Sequence, residues 1–447
     1  MQKLIVRNFG PIKELDLDIK DLMLFIGEQA TGKSTVAKLV YFFKEIVKNE
    51  LISYLFKPLP KIIEKRDAPW QLNMEFRENI GWRLNDLFFE SNQAPFHFCL
   101  DYQYKPDLWL RIKNDGHTPP PWSEFTDEYY ERNPGVGISR IGDKLHPLLE
   151  KITEHQKKYL SREAALTAGS RTIEAERKAN IEEIEENINE FFGGNEKVVY
   201  IPAGRSVFAA LSERLPSKGW DLLMEDFREK ISTIKPAFGH SLSEIVEQKK
   251  VRGNHIPDKR TLDLSVQKIR EILKGEYRVD EEGEKIFIDD LNYVKLSHAS
   301  SGQQEVLWIL LHLFVLLLNR EKVFLIIEEP EAHLFPKAQK LLVELITLLF
   351  NENNSQVLIT THSPYILTAF NNLIYAGNVG REHDEVGGVI PKLLWIDHEK
   401  AGAYRLHDGV AEDLMDEETH LIRVEEIDTV SQSINQDFDS LLNIELQ

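Results

Sequence analysis

The sequence predicts an α/β fold: a mixed sheet carrying a phosphate-binding loop, joined to a helical lobe and a short coiled-coil-like helical insertion. Three observations predict it. A G-x4-G-K-S run at residues 27–34 lies between a continuous apolar stretch and a helical pattern. Helix and strand patterns alternate from 303 to 361, as in a parallel sheet covered on both faces. Residues 143–192 are charge-rich and helical in character, with a turn at 167–170. They read as two antiparallel helices of roughly twenty residues each, with one kinked surface helix as the alternative.

In chain order, residues 2–8 and 13–19 alternate apolar and polar and read as two strands joined at Gly10-Pro11. Leu22 to Ile26 is continuously apolar, as expected of a strand buried on both faces. The glycine-bearing loop follows, then a helix over 33–48. From 50 to 196 the pattern loosens, punctuated by Pro58, Pro60 and Pro69. Residues 96–102 and 108–112 read as a strand pair, and 116–136, with Pro119 to Pro121, as a surface loop. Lys197 to Ile201 is a buried-type strand ending in Pro202-Ala203-Gly204-Arg205, and 206–275 read as mainly helical. A helix over 303–319, a strand over 323–328, a helix over 337–350 and a strand over 356–361 complete the regular part.

The last stretch, 411–447, holds eleven acidic residues against one basic residue, Arg423. Its spaced apolar residues, Leu421, Ile427, Ile434, Phe438 and Leu442, predict folded helices and not a disordered acidic tail. The expected organisation is a discontinuous core of 1–50, 196–205 and 295–400, an insertion at 51–195, a helical lobe at 206–294 and an acidic helical segment at 401–447.

With 447 residues the chain exceeds one ordinary core. Hydrophobic residues at 42% and charged residues at 28% suit a soluble globular protein. The single cysteine, Cys99, excludes a disulfide framework and a cysteine-rich metal site and fits a reducing cytoplasm. The opening residues lack the apolar stretch of a secretory signal. The longest apolar run, Val306 to Leu318, is 13 residues broken by His312. A span needs about 20, so a buried helix is expected and no membrane partner. A net charge of −19 repels phosphate backbones. Two basic segments, Lys57, Lys61, Lys65 and Arg66, then Lys249, Lys250, Arg252, Lys259 and Arg260, read first as solvated loop faces.

Four motifs carry chemistry. The loop Gly27-Glu28-Gln29-Ala30-Thr31-Gly32-Lys33-Ser34 has the glycines that let backbone N–H groups curl around phosphates at a helix N-terminus. Lys33 would reach the β- and γ-phosphates and the Ser34 hydroxyl would ligate Mg²⁺. Gly27, Gln29, Ala30, Thr31, Gly32, Lys33, Ser34 and Thr35 are the candidate nucleotide-binding set, with ATP and Mg²⁺ as the ligands. In the second motif, Phe324 to Ile327 form a buried strand delivering Glu328 and Glu329 to the sheet's carboxyl edge. Glu328 would hold Mg²⁺, partly through water, and Glu329 would be the base that deprotonates the attacking water. A solvated acidic turn is the bland alternative. Glu331 and His333 read equally well as caps of the next helix. The third is Thr360-Thr361-His362-Ser363-Pro364, where His362 could donate a hydrogen bond to a γ-phosphate and sense ATP against ADP. The fourth is Ser300-Ser301-Gly302-Gln303-Gln304, a second anion-binding nest at a helix start, or simply a good N-cap.

In this order the motifs resemble those of the ABC/SMC-type ATPases. Within them the chain is similar to small bacterial and archaeal AAA-type proteins related to overcoming-lysogenisation-defect nucleases and the recombination ATPase RecF. It resembles above all the ATPase components of prokaryotic anti-phage systems such as PARIS and Septu. The motif resemblance covers residues 1–45 and 295–377. It implies an ABC-type ATPase head that pairs with a second copy, as a homodimer or higher homo-oligomer, around two ATP molecules. Ser301, Gly302 and Gln303 would then act in trans on nucleotide held by the other subunit's phosphate loop. The resemblance also implies a nucleotide-side role for Arg205. The turn is SSGQQ where transporters have LSGGQ, and Glu328 stands where many relatives have aspartate; both departures fit the defence branch. Gln71 and Gln93 are both open as the glutamine-loop residue.

The resemblance implies an ATP-driven sensor or scaffold in anti-phage defence, controlling a separate effector, a nuclease encoded nearby, with a nucleic acid or phage protein as trigger. Two readings compete. A self-sufficient nuclease needs a strand-borne D-x-D, and the late pair Asp437 and Asp439 follows polar Ser-Ile-Asn-Gln instead. A DNA repair or recombination ATPase that clamps DNA is permitted by the basic segments and opposed by the net charge.

Overall fold

The computed structural model describes residues 2–57, 68–88, 97–106, 108–114, 142–160, 171–211, 219–251, 256–289, 291–424 and 436–438. The chain forms two compact units. One comprises Met1–Ile19, Ala30–Val198 and Asp408–Ala411, and the other Lys20–Gln29, Val199–His407 and Glu412–Gln447. The first two N-terminal strands thus fall in the unit that holds the insertion, and the third, Leu22–Ile26, in the unit that holds the 295–400 segment.

The strands are β1 (Gln2–Phe9), β2 (Ile12–Ile19), β3 (Leu22–Ile26), β4 (Phe98–Lys105), β5 (Leu108–Asn114) and β6 (Lys197–Ile201). They continue with β7 (Glu276–Asp280), β8 (Gly283–Phe287), β9 (Tyr293–Lys295), β10 (Val323–Glu328), β11 (Gln356–Thr361), β12 (Ala401–His407) and β13 (Val410–Asp413).

In the first unit β1 is antiparallel to β2 on one side and to β4 on the other, with β5 antiparallel beyond β4. Alternation puts Leu4 and Val6 and, opposite, Leu15, Leu17 and Ile19 into the core, and Phe9 is buried beyond Asn8, whose φ is 54°. Phe43 stacks on Tyr102 at 5.0 Å between ring centroids, and the Tyr104 hydroxyl donates to the Phe43 carbonyl at 2.7 Å. Phe43 belongs to a π-helical segment, Phe42–Ile46, between the helices Lys33–Tyr41 and Val47–Ser53, so the predicted helix is longer and locally underwound.

The helix Ala68–Phe88 escaped sequence reading, because Pro69 made the stretch look irregular. In the first turn a missing N–H costs nothing, and Leu72, Phe76, Ile80, Leu84 and Leu87 form its buried stripe. The predicted helix pair is present as Gly142–Tyr159 and Arg171–Phe191, packed together. The turn at 167–170 and the loop at 116–136 lie outside the described residues.

In the second unit β12, β3, β11 and β10 are parallel neighbours, with β6 beyond β10. Every residue of β3 and β10 is buried, as their unbroken apolar runs require. β6, β10 and β11 have the bounds read from sequence. The helix Ser301–Asn319 is long and apolar enough to cross a membrane, and its residues Glu305 to Phe314 are buried in this core.

Two expectations are corrected in this unit. Within the expected helical lobe at 206–294, the strands β7 and β8 pair antiparallel and β9 joins β8. The expected acidic helical segment at 401–447 begins with β12 and β13, separated by Asp408 (φ 50°) and Gly409 (φ 85°). Asp-Gly is a strong tight-turn signal, and acidic content obscured it. Met415 and Ile422 form an isolated bridge where helix was expected. Ile427, Ile434 and Leu442 lie outside the described residues.

Candidate functional site

The phosphate loop leaves β3 at Gly27 and enters the helix Lys33–Tyr41 through Gly32, whose φ is 103°. A side chain is disfavoured here: a Cβ would strain this backbone and meet Pro11 and Ile12 at 3.2 and 3.1 Å. Gly32 carries no side-chain cap, which leaves the helix start to an anion. Glu28, Gln29, Ala30 and Ser34 are exposed, Gly27, Thr31 and Thr35 are intermediate, and Lys33 is buried. The boundary between the two units falls inside this loop, after Gln29.

The acidic edge belongs wholly to the second unit. Glu328, last residue of β10, accepts from the Ala203 backbone N–H at 3.1 Å through Oε2. Its Oε1 is buried without a hydrogen-bond partner among the described residues, as is the Thr360 hydroxyl opposite it on β11. A buried, unsatisfied carboxylate oxygen is costly, and a hydrated Mg²⁺ is the kind of group that satisfies it. The residues present therefore fit the ion.

Glu329 follows in a left-handed conformation, φ 43°. Its N–H donates to the Thr360 carbonyl at 2.8 Å, and its Oε1 lies 3.3 Å from His362 Nε2. The turn lifts this carboxylate out of the strand, half exposed, beside the histidine predicted to sense a γ-phosphate. Glu331 does not cap the next helix: its Oε1 accepts from the His362 backbone N–H at 2.6 Å, and its Oε2 is buried with no hydrogen-bond partner among the described residues. The helix Pro336–Glu352 has no side-chain cap at all, so the capping reading of Glu331 and His333 is overturned. Glu331 is the site residue that sequence reasoning undervalued, since neither spacing nor composition shows a carboxylate reaching across to the next strand's end.

Arg205 is fully buried, and its pKa is pulled below the usual value by desolvation, against the pull of Glu305, Glu331, Glu328 and Glu329. Its Nε donates to the Glu305 carbonyl at 2.8 Å, Nη1 to the carbonyls of Pro202 and Glu328 at 3.0 and 2.8 Å, and Nη2 to the Glu329 carbonyl at 2.9 Å. Glu305 adds a carboxylate 3.6 Å from Nε. The expected nucleotide contact is replaced by a strut between backbone segments, because four of the five guanidinium N–H groups are already spent on carbonyls.

Ser300 caps the helix Ser301–Asn319 in a reciprocal box with Gln303. The Gln303 amide also donates to the Leu273 carbonyl at 2.8 Å, so this side chain is structural where a nucleotide contact was expected. Ser301 remains exposed, and Gly302 packs against the loop after Glu329: a Cβ on Gly302 would stand 2.7 Å from the His333 carbonyl oxygen. Of the basic segments, Lys57 pairs with Glu50, Lys249 with Asn319 and Lys250 with Glu247. Lys61, Lys65, Arg66, Arg252, Gln93 and Asp439 lie outside the described residues.

A protein-family description, "AAA_15: AAA ATPase domain", matches residues 1–367. No curated protein matches. Among solved structures the chain is similar to the SMC head bound to the C-winged helix domain of ScpA, at 10% identity and a TM-score of 0.37, covering 92% of this chain and 95% of that one. It is similar to the SMC head domain from Thermotoga maritima at 10% identity and a TM-score of 0.34, covering 92% and 97%. A third match is a Pyrococcus furiosus Smc head domain with an extended coiled coil, bound to the C-terminal domain of ScpA. It has 11% identity and a TM-score of 0.33, covering 97% and 100%.

Proposed function

The chain belongs to the AAA ATPase domain family, and from that premise we propose that it is a nucleotide-gated dimeric switch that hydrolyses MgATP slowly. The observation that carries the reading is the division of labour within the second unit. Glu329 and His362 stand together at neighbouring strand ends, while Ser301, at the start of its helix, is exposed and Gly302 is partly so. In this reading the phosphate loop binds the β- and γ-phosphates, Glu329 takes a proton from the attacking water, and His362 donates to the γ-phosphate. Glu328 and the loop hydroxyl of Ser34 would hold Mg²⁺, which would neutralise charge on the transferring phosphoryl group. Ser301 and Gly302 approach nucleotide held by a second copy, so the terminal phosphate joins the two subunits and its loss lets them part.

In the cell, the switch controls a separate effector, a nuclease, in anti-phage defence; the SSGQQ turn and the paired glutamates support this branch. The test is a Glu329→Gln chain with saturating MgATP, followed by light scattering. The expected result is a stable dimer that dissociates on exchange into ADP. A chain that stays monomeric would overturn the dimeric switch, and a chain that binds no ATP would overturn the site. Pulling the wild-type chain from its native host without a stoichiometric nuclease would overturn effector control.

A further inference from the structure

The helix Ser301–Asn319 meets the segment 328–333 at two places. At its first turn Gly302 abuts the His333 carbonyl. One turn later the carbonyl and carboxylate of Glu305 hold Arg205, whose other nitrogens hold the carbonyls of Glu328 and Glu329. A planar guanidinium cannot bend between its two ends. Displacing the helix start therefore displaces the backbone on both sides of the left-handed Glu329. Burying an arginine is expensive unless its geometry is well used, and an apolar filler would serve packing alone.

We propose that Arg205, held by Glu305, is a positioning residue that links the Ser301–Gly302 turn to the catalytic Glu329 of the same subunit, so that docking of a second copy's nucleotide on the turn sets the glutamate for hydrolysis. This rests on the dimeric switch above. A close-packed interior has low compressibility and transmits such a shift, and couplings between sites are commonly worth 5- to 150-fold. Each head then reads whether its partner is loaded before it fires, and the two hydrolysis events are correlated.

The test uses the full chain as Arg205→Lys and as Glu305→Gln. Lysine keeps the charge but not the fork. For Arg205→Lys, kcat falls about ten-fold, KM for ATP stays within about two-fold, and the rise of per-subunit rate with protein concentration flattens. Glu305→Gln moves the same readouts in the same direction by a smaller factor. In a Glu329→Gln background, Arg205→Lys still dimerises with MgATP. An unchanged kcat with the concentration dependence intact overturns the link, and so does a rise in KM alone. Failure of Glu329→Gln itself to dimerise overturns the dimeric switch and the link with it, a distinguishable outcome. If Arg205→Lys does not fold, as judged by its thermal melt, Glu305→Gln decides.

Discussion

Gly302 faces His333 so closely that a single added carbon would lie 2.7 Å from the His333 carbonyl oxygen. Backbone, not side chain, receives that carbon, so something must move. His333 itself has φ 60°. Gly302→Ala is expected to lower stability by about 1–3 kcal/mol, the usual cost of overpacking, and to reduce ATP turnover. Thermal denaturation and turnover measured on the same sample check this; wild-type values for both would show the contact to be slack.

Glu329→Gln keeps the left-handed backbone and its bond to the Thr360 carbonyl but removes the base. Turnover should drop by about 10²- to 10⁴-fold, the usual worth of a positioned base. Nucleotide affinity, read by equilibrium titration with a fluorescent ATP analogue, should persist. Turnover within a factor of two of wild type would assign the proton transfer elsewhere.

Ser300→Ala removes the hydroxyl that closes the box with Gln303 at the start of the Ser301–Asn319 helix. The expected loss is about 1 kcal/mol, visible as a lower urea midpoint with an unchanged slope. No change in midpoint would mean that the Gln303 amide holds the turn through Leu273 alone.

Glu344 gives a pH signature. Burial raises its carboxyl pKa, but hydrogen bonds from Lys268 and Lys340 outweigh burial and leave the group below its ordinary 4.5. A carboxylate depressed in the folded state stabilises the fold above its unfolded pKa, and that contribution fades as pH falls through the folded value. Glu344→Gln should therefore be less stable than wild type near neutrality, with the gap closing below pH 4.5. A gap that stays constant down the acid range would rule out the ion pairs as its source.

The proposed catalytic edge was legible because the strands that build it are largely buried. β3, β6, β10 and β11 each carry a continuous apolar stretch leading into a motif, and the structure keeps their bounds. The helix Ala68–Phe88 was hidden by Pro69, which is disruptive inside a helix and harmless in its first turn. β12 was hidden because Ala401, Gly402 and Ala403 have no strand preference of their own and take their conformation from pairing with β3. The roles of Arg205, Gln303 and Glu331 were illegible for one reason: each is decided by a partner between 30 and 124 positions away that sequence spacing does not reveal.

The backbone at Glu329 turns the working glutamate into a burden for the folded chain. A residue with a Cβ held at φ 43° costs on the order of 1–3 kcal/mol, which glycine would not incur. A dead Glu329→Gly chain is thus expected to outlast the active one on heating. Selection for sturdiness alone, with hydrolysis unneeded, would favour glycine at this position.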